Sequence, residues 1–131
     1  MKKNNEKLKA NGRFPYLPKR MSGEWHVANT LVRMKIRYVP EYIIENLKHD
    51  SCSYRVADFY LPKEKIVIEH CGRWAKDKER YREKRRVYLE NNIKYIFIYP
   101  QQLNNLDWAL KKEIDWVVEN SRVKDPEKDL L

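Results

Sequence analysis

Cysteine is scarce. Only Cys52 and Cys71 occur in 131 residues, and they make no CxxC spacing, so neither a zinc ribbon nor a disulfide framework organises this chain. His26 and His70 could complete a zinc set with them by residue type, but the spacing gives that idea no support. Long apolar runs are also missing, and none approaches the length of a membrane span. The opening stretch MKKNNEKLKANG lacks the apolar core of a signal peptide. These absences together lead us to expect a cytoplasmic, reducing location and no membrane partner. No internal repeat and no low-complexity block is present.

What is there suits one folded domain. Hydrophobic residues make up 42% and charged residues 36%, a balance typical of a globular chain and not of a disordered one. The length allows one ordinary domain with a real core. A net charge of +9 favours a polyanionic partner, most often nucleic acid. We expect a basic N-terminal extension over 1–21, a single domain over 22–120 and a polar tail over 121–131.

Ser22 is a good N-cap for a helix running to about Ile36, with Val27, Ala28, Leu31 and Met34 facing inward. Glu24 falls on or beside that stripe, where it either complements the helix dipole or points into a site. Residues 37–44 read as a strand, with Pro40 marking an edge or a bulge. Residues 54–72 read as a β-hairpin broken at Pro62–Lys65. A loop at Lys63 and Glu64 sets Leu61 opposite Ile66, Phe59 opposite Ile68, and Asp58 opposite Glu69. Alternation places Val56, Tyr60 and Val67 on one face, and Ala57, Phe59, Leu61, Ile66 and Ile68 on the other. With both faces apolar, helices are needed above and below.

Asp58 and Glu69 would share a face, with Cβ atoms roughly 5 Å apart. Two like charges that close destabilise a sheet unless a divalent cation, a proton or a lysine neutralises one of them. By the same alternation His70 points away from Glu69 and is expected to be a satisfied, buried or half-buried histidine, while Cys71 shares the Glu69 face.

Residues 77–91 are helical and highly charged. Asp77, Tyr81, Lys84 and Tyr88 share one face, so Lys84 either snorkels past the sheet edge or points inward as a charge partner of the two acids. Arg73, Lys76, Lys78, Arg80, Arg82, Arg85 and Arg86 form a basic cluster suited to phosphates, although Arg82 and Arg86 also have acidic helix neighbours. Residues 94–99 form a strand reached by a crossover, hence parallel to a neighbour. A last helix over 105–120 buries Leu106, Ala109, Leu110, Ile114 and Val117, flanked by Trp108 and Trp116. The predicted class is α/β, in the order α-β-β-β-α-β-α, with a mixed sheet of about four strands between helices.

Helix-borne Glu24, the segments RVADFYLP and KIVIEHCG, the charged helix and the strand KYIFIYP together resemble the PD-(D/E)xK nuclease superfamily, with its restriction-endonuclease-like fold. The likeness is greatest to small members of the very-short-patch-repair or resolvase kind. The resemblance implies Mg²⁺ (or Mn²⁺) held by Asp58, Glu69 and the His70 backbone carbonyl, with Glu24 holding a metal-bound water or a second ion. One position departs: the family's lysine two residues after the Glu is Cys71 here. Lys84, with Tyr88, takes its place on the following helix, as in some members. The implied activity is metal-dependent DNA endonuclease action, with branched or nicked DNA as the expected substrate. The alternative is a catalytically impaired DNA-binding module on the same fold. A third option is an interaction protein whose basic face meets an acidic partner. By the same resemblance a homodimer is expected, with Trp108 and Trp116, or Tyr38 and Tyr42, as candidate contacts.

Overall fold

Ser22 starts the fold as an N-cap, its Oγ accepting a hydrogen bond from the Trp25 N–H at 3.1 Å. The computed structural model describes residues 22–123, so the extension expected over 1–21 and the end of the tail, 124–131, lie outside the described residues. Helix α1 spans Gly23–Arg33. It stops short of Ile36 because Lys35 adopts φ 59°. The Lys35 and Ile36 N–H groups donate back to the carbonyls of Val32 and Leu31, the paired bonds of a Schellman cap.

Strand β1 (Val39–Glu45) pairs with β2 (Tyr54–Leu61), β2 with β3 (Ile66–His70), and β3 with β4 (Lys94–Ile98). The first two pairings are antiparallel and the third is parallel, giving a mixed four-stranded sheet. The hairpin register is the expected one, Leu61 opposite Ile66 and Phe59 opposite Ile68. Lys65 closes its turn at φ 60°, donating to the Leu61 carbonyl at 2.7 Å.

Helix α2 (Trp74–Glu90) begins earlier than expected, with a break in helical geometry at Asp77. A 3₁₀ turn over Pro100–Asn105, not anticipated, leads into α3 (Leu106–Asn120). The molecule is therefore a mixed α/β protein with three helices around one sheet.

Helices α1 and α3 cover one face of the sheet. Val27, Leu31, Leu110 and Ile114 pack there on Phe59, Leu61, Ile66, Ile68, Ile96 and Ile98. Helix α2 covers the other face, where Tyr88 meets Ala57, Val67, Cys71, Tyr95 and Phe97. Each fully buried aliphatic side chain stabilises the fold by about 1.5–3 kcal/mol. Tyr38 is fully buried against Phe59, which removes it as a dimer contact. Trp108 is 59% exposed and carries Lys112 over its ring, so it is not part of the core.

Ala57 corrects the simple alternation. It packs with Val67 and Tyr88, on the face opposite Phe59. Its neighbour β1 does the same: Tyr38 belongs to the Phe59 side, while Tyr42 and Ile44 lie on the Ala57 side. Both strands change parity at one level. Pro40 pairs with Phe59 and Tyr42 with Ala57, but Glu41 and Asp58 between them form no ladder pair. Glu41 sits there at φ 48°, a conformation that breaks the pleat.

His70 wedges between two glycines. A Cβ added to Gly23 would lie 2.0 Å from its Cε1, and one added to Gly72 would lie 2.7 Å away. The ring therefore occupies space that side chains at both positions would need, locking the start of α1 onto the end of β3. Gly23→Ala should destabilise the protein by about 1–3 kcal/mol in urea unfolding despite the better helix propensity of alanine. The same change in a His70→Ala background should cost little; an equal cost in both backgrounds would contradict the wedge.

Candidate functional site

The end of the hairpin gathers the acids. Glu69 is 2% exposed, and its carboxylate is held from α2. Lys84 Nζ donates to Oε1 at 2.9 Å and the Tyr88 hydroxyl donates to Oε2 at 2.6 Å. The helical face of Tyr81, Lys84 and Tyr88 brings these groups down onto β3, one turn apart. Lys84 Nζ also donates to the Val56 carbonyl at 2.6 Å. Of its three donors, two are thus committed to protein acceptors.

Asp58 does not pair with Glu69 as a ladder neighbour. Its Oδ2 instead accepts the His70 N–H at 2.7 Å, standing in for a strand carbonyl where the pleat of β2 is broken. The charges nonetheless lie within electrostatic reach of one another. Burial pushes the Glu69 carboxyl up to about 7, with Lys84 opposing and the charge of Asp58 adding to the rise. Burial likewise raises Asp58, against the pull of the His70 N–H and Lys84. Glu24, half-buried on α1, rises to about 7, first through burial and then through repulsion from Asp58 and Glu41. No described residue donates a hydrogen bond to the Glu24 carboxylate.

Glu41 is the member that sequence reasoning missed. Its field acts on both Glu24 and Asp58. Its placement depends on the β1–β2 register across a long loop, which no local pattern reveals.

Among the described residues, no three His, Cys, Asp or Glu side chains form a group that could hold a metal ion. An ion here would rest on Asp58 and Glu69 plus donors that are not side chains, such as the His70 carbonyl or water. Two carboxylates completed by waters and substrate oxygens suit Mg²⁺ or Mn²⁺. Each carboxylate oxygen of Glu69 keeps a lone pair beyond its hydrogen bond. A cation beside them would oppose the rise of the Asp58, Glu24 and Glu69 carboxyls.

Cys71 is fully buried on the Glu69 side, and burial with the nearby acids pushes its thiol up to about 12. It stays protonated and offers neither thiolate nor positive charge. Cys52 is exposed. The His70 ring is half-buried, as expected, but its Nε2 is buried without a hydrogen-bond partner, contrary to the expectation of a satisfied histidine. Burial and the neighbouring His26 lower its pKa.

The basic cluster divides. Arg86 is taken by Glu83, Glu90 and the His49 carbonyl. Arg82 pairs with Glu79 at 2.9 Å, and Arg73 with Asp77 at 3.0 Å. Arg80 reaches Asp77 only at 3.9 Å. Lys76 and Lys78 are exposed, Arg85 is partly buried, and no described acid pairs with any of the three. Arg86 is thus a structural tie and a poor phosphate ligand, whereas Lys76, Lys78 and Arg80 remain available to a ligand.

No family model matches the chain, and neither a curated protein nor a solved structure matches it.

The acid cluster carries a pH signature. Folded Glu24 holds its proton more tightly than the unfolded chain does, with its ordinary value of 4.5 raised to about 7. Its stabilising share is complete below 4.5 and is lost as pH rises through 7. Glu24→Gln should therefore melt above the wild type at pH 8, by roughly 4–8 °C per kcal/mol of burial cost and repulsion relieved, with the difference shrinking toward pH 5. A pH-independent difference would contradict the assignment.

Proposed function

We propose that this protein is a Mg²⁺- or Mn²⁺-dependent DNA endonuclease of the PD-(D/E)xK kind, built on a restriction-endonuclease-like arrangement of its sheet. The observation that carries this reading is Lys84 bonded directly to buried Glu69, with Asp58, whose charge acts on Glu69, bonded to the N–H of the next residue, His70. The order of elements and the basic surface of α2 support it. Branched or nicked duplex is the proposed substrate.

Asp58, Glu69 and the His70 carbonyl would hold the ion, with Glu24 assisting through water. When bound, such an ion supplies Lewis-acid polarisation of a phosphate and lowers the pKa of a ligated water. The remaining work falls to side chains. Lys84 keeps a fixed positive charge beside the acids, where the phosphate oxygens gain negative charge in the transition state, and so fills the role that Cys71 leaves empty. Tyr88 fixes the Glu69 carboxylate so that Lys84 meets it in a single geometry. Glu24 is a carboxylate that could accept a proton from an attacking water. Lys76, Lys78 and Arg80 bind flanking phosphates, so affinity falls steeply with salt.

A second reading is a DNA-binding module without catalysis. It is favoured by Lys84, which already donates to Glu69 and the Val56 carbonyl.

Plasmid and junction DNA incubated with Mg²⁺, Mn²⁺ or EDTA separates the two. Cutting should require the metal. Asp58→Asn and Lys84→Ala should each lower the rate by about 10³-fold or more, while DNA affinity stays equal or improves for Asp58→Asn. Cutting that survives EDTA or Asp58→Asn would overturn the endonuclease assignment. Binding without any cutting would establish the second reading.

A further inference from the structure

Beside the acids, on the far side of Lys84, lies a pocket of about 490 Å³. Its lining includes Ser51, Ser53, Tyr54, Val56, Arg80 and Lys84. The volume falls within the range of small-ligand pockets, roughly 300–1,000 Å³. The pocket and the acid cluster share a wall, because Lys84 lines the pocket and its ammonium donates to Glu69 and to the Val56 carbonyl.

The loop side of the pocket is preformed. Asp50, whose side chain is fully covered, accepts two hydrogen bonds from Arg55 at 2.7 and 2.8 Å and a third from the Cys52 N–H at 3.1 Å. That clamp holds the turn over 50–53 in place before any ligand arrives. The Arg55 guanidinium is consumed by this clamp and is not offered to an occupant. Arg80 is different: its side chain is 79% exposed, and its one acid partner stands 3.9 Å away. Tyr54 at the start of β2 is 39% exposed, an aromatic left open at the lip, and Val56 is 37% exposed.

From this arrangement we infer that the pocket seats a single unpaired nucleotide of the DNA strand, its base on Tyr54 and its phosphate between Arg80 and Lys84. The inference rests on the nucleic-acid reading of the acid site and specifies which form of DNA that site takes. Each part of such a nucleotide finds its chemistry here. A base has a π-face for the tyrosine ring and polar edges for the serine hydroxyls. A phosphate forms charge-assisted bonds with the two cations. A base inside a duplex is covered on both faces by its stack, so only a flap, bulge, branch or single strand can present one without the cost of extrusion.

The test compares two duplexes of one sequence in EDTA, one fully paired and one carrying a single-nucleotide bulge with 2-aminopurine as the unpaired base. Wild type should bind the bulged duplex about tenfold more tightly and change the 2-aminopurine fluorescence on binding. Tyr54→Ala should erase that preference, and Tyr54→Phe, which keeps the ring, should retain it. Arg80→Ala should weaken binding of both duplexes. Circular dichroism and thermal melting establish that each variant is folded. An undiminished preference in folded Tyr54→Ala, or none in wild type, overturns the pocket assignment.

Metal-dependent plasmid cutting is scored separately on the same proteins. Cutting with no Tyr54-dependent preference sinks the pocket and leaves the endonuclease standing. A Tyr54-dependent preference without cutting sinks the endonuclease and leaves the pocket standing.

Discussion

Glu69 is a carboxylate in a nearly dry place, and the rest of the molecule is arranged to tolerate it. Taking a carboxylate out of water costs several kcal/mol, and only good geometry with further hydrogen bonds recovers that cost. Lys84 and Tyr88 provide both, one on each oxygen. The contact also ties α2 to β3 at a defined height, since the two donors come from one helical face. It is a registration device as well as a charge pair. Lys84 further bonds to the Val56 carbonyl in β2, so one ammonium joins a helix to two strands.

A second constraint meets the first at Asp58. Strands β1 and β2 both reverse their parity where Glu41 and Asp58 fail to pair. The break frees the Asp58 carboxylate from the ordinary pleat, and it satisfies the backbone N–H of His70. The His70 ring in turn occupies the space left by Gly23 and Gly72, which carries α1 and Glu24 to the same end of the sheet. Burial raises the Glu24, Asp58 and Glu69 carboxyls, the charges of Asp58 and Glu41 add to the rise, and Lys84 opposes it. Such crowding opposes folding unless a proton, the Lys84 ammonium or a bound cation offsets it.

Much of this was legible from residue order. The hairpin register followed from the break at Pro62–Lys65, and the parallel strand from the helix before it. The face shared by Lys84 and Tyr88 followed from helical spacing. The rest depended on non-local geometry. The misplacement of Ala57 came from assuming an unbroken pleat in β2; Pro40 flagged an edge or a bulge in β1, but not that the strand beside it would change parity at the same level. Glu41 itself reaches the site through a register set across the loop between β1 and β2. The length of α1 was overestimated because Lys35, an ordinary helix former, takes the left-handed position usually given to glycine. The clamp of Asp50 on Arg55 spans only five residues, yet it shapes a pocket that charge counting could not foresee.

Manganese titration of the ¹⁵N-labelled protein, followed by amide NMR, tests most directly whether these acids form a cation site. Paramagnetic broadening should begin at Asp58 and at Glu69 through Cys71, extend to Glu24, and vanish in Asp58→Asn. Broadening scattered over surface acids such as Glu79 and Glu119, or unchanged by Asp58→Asn, would contradict the account.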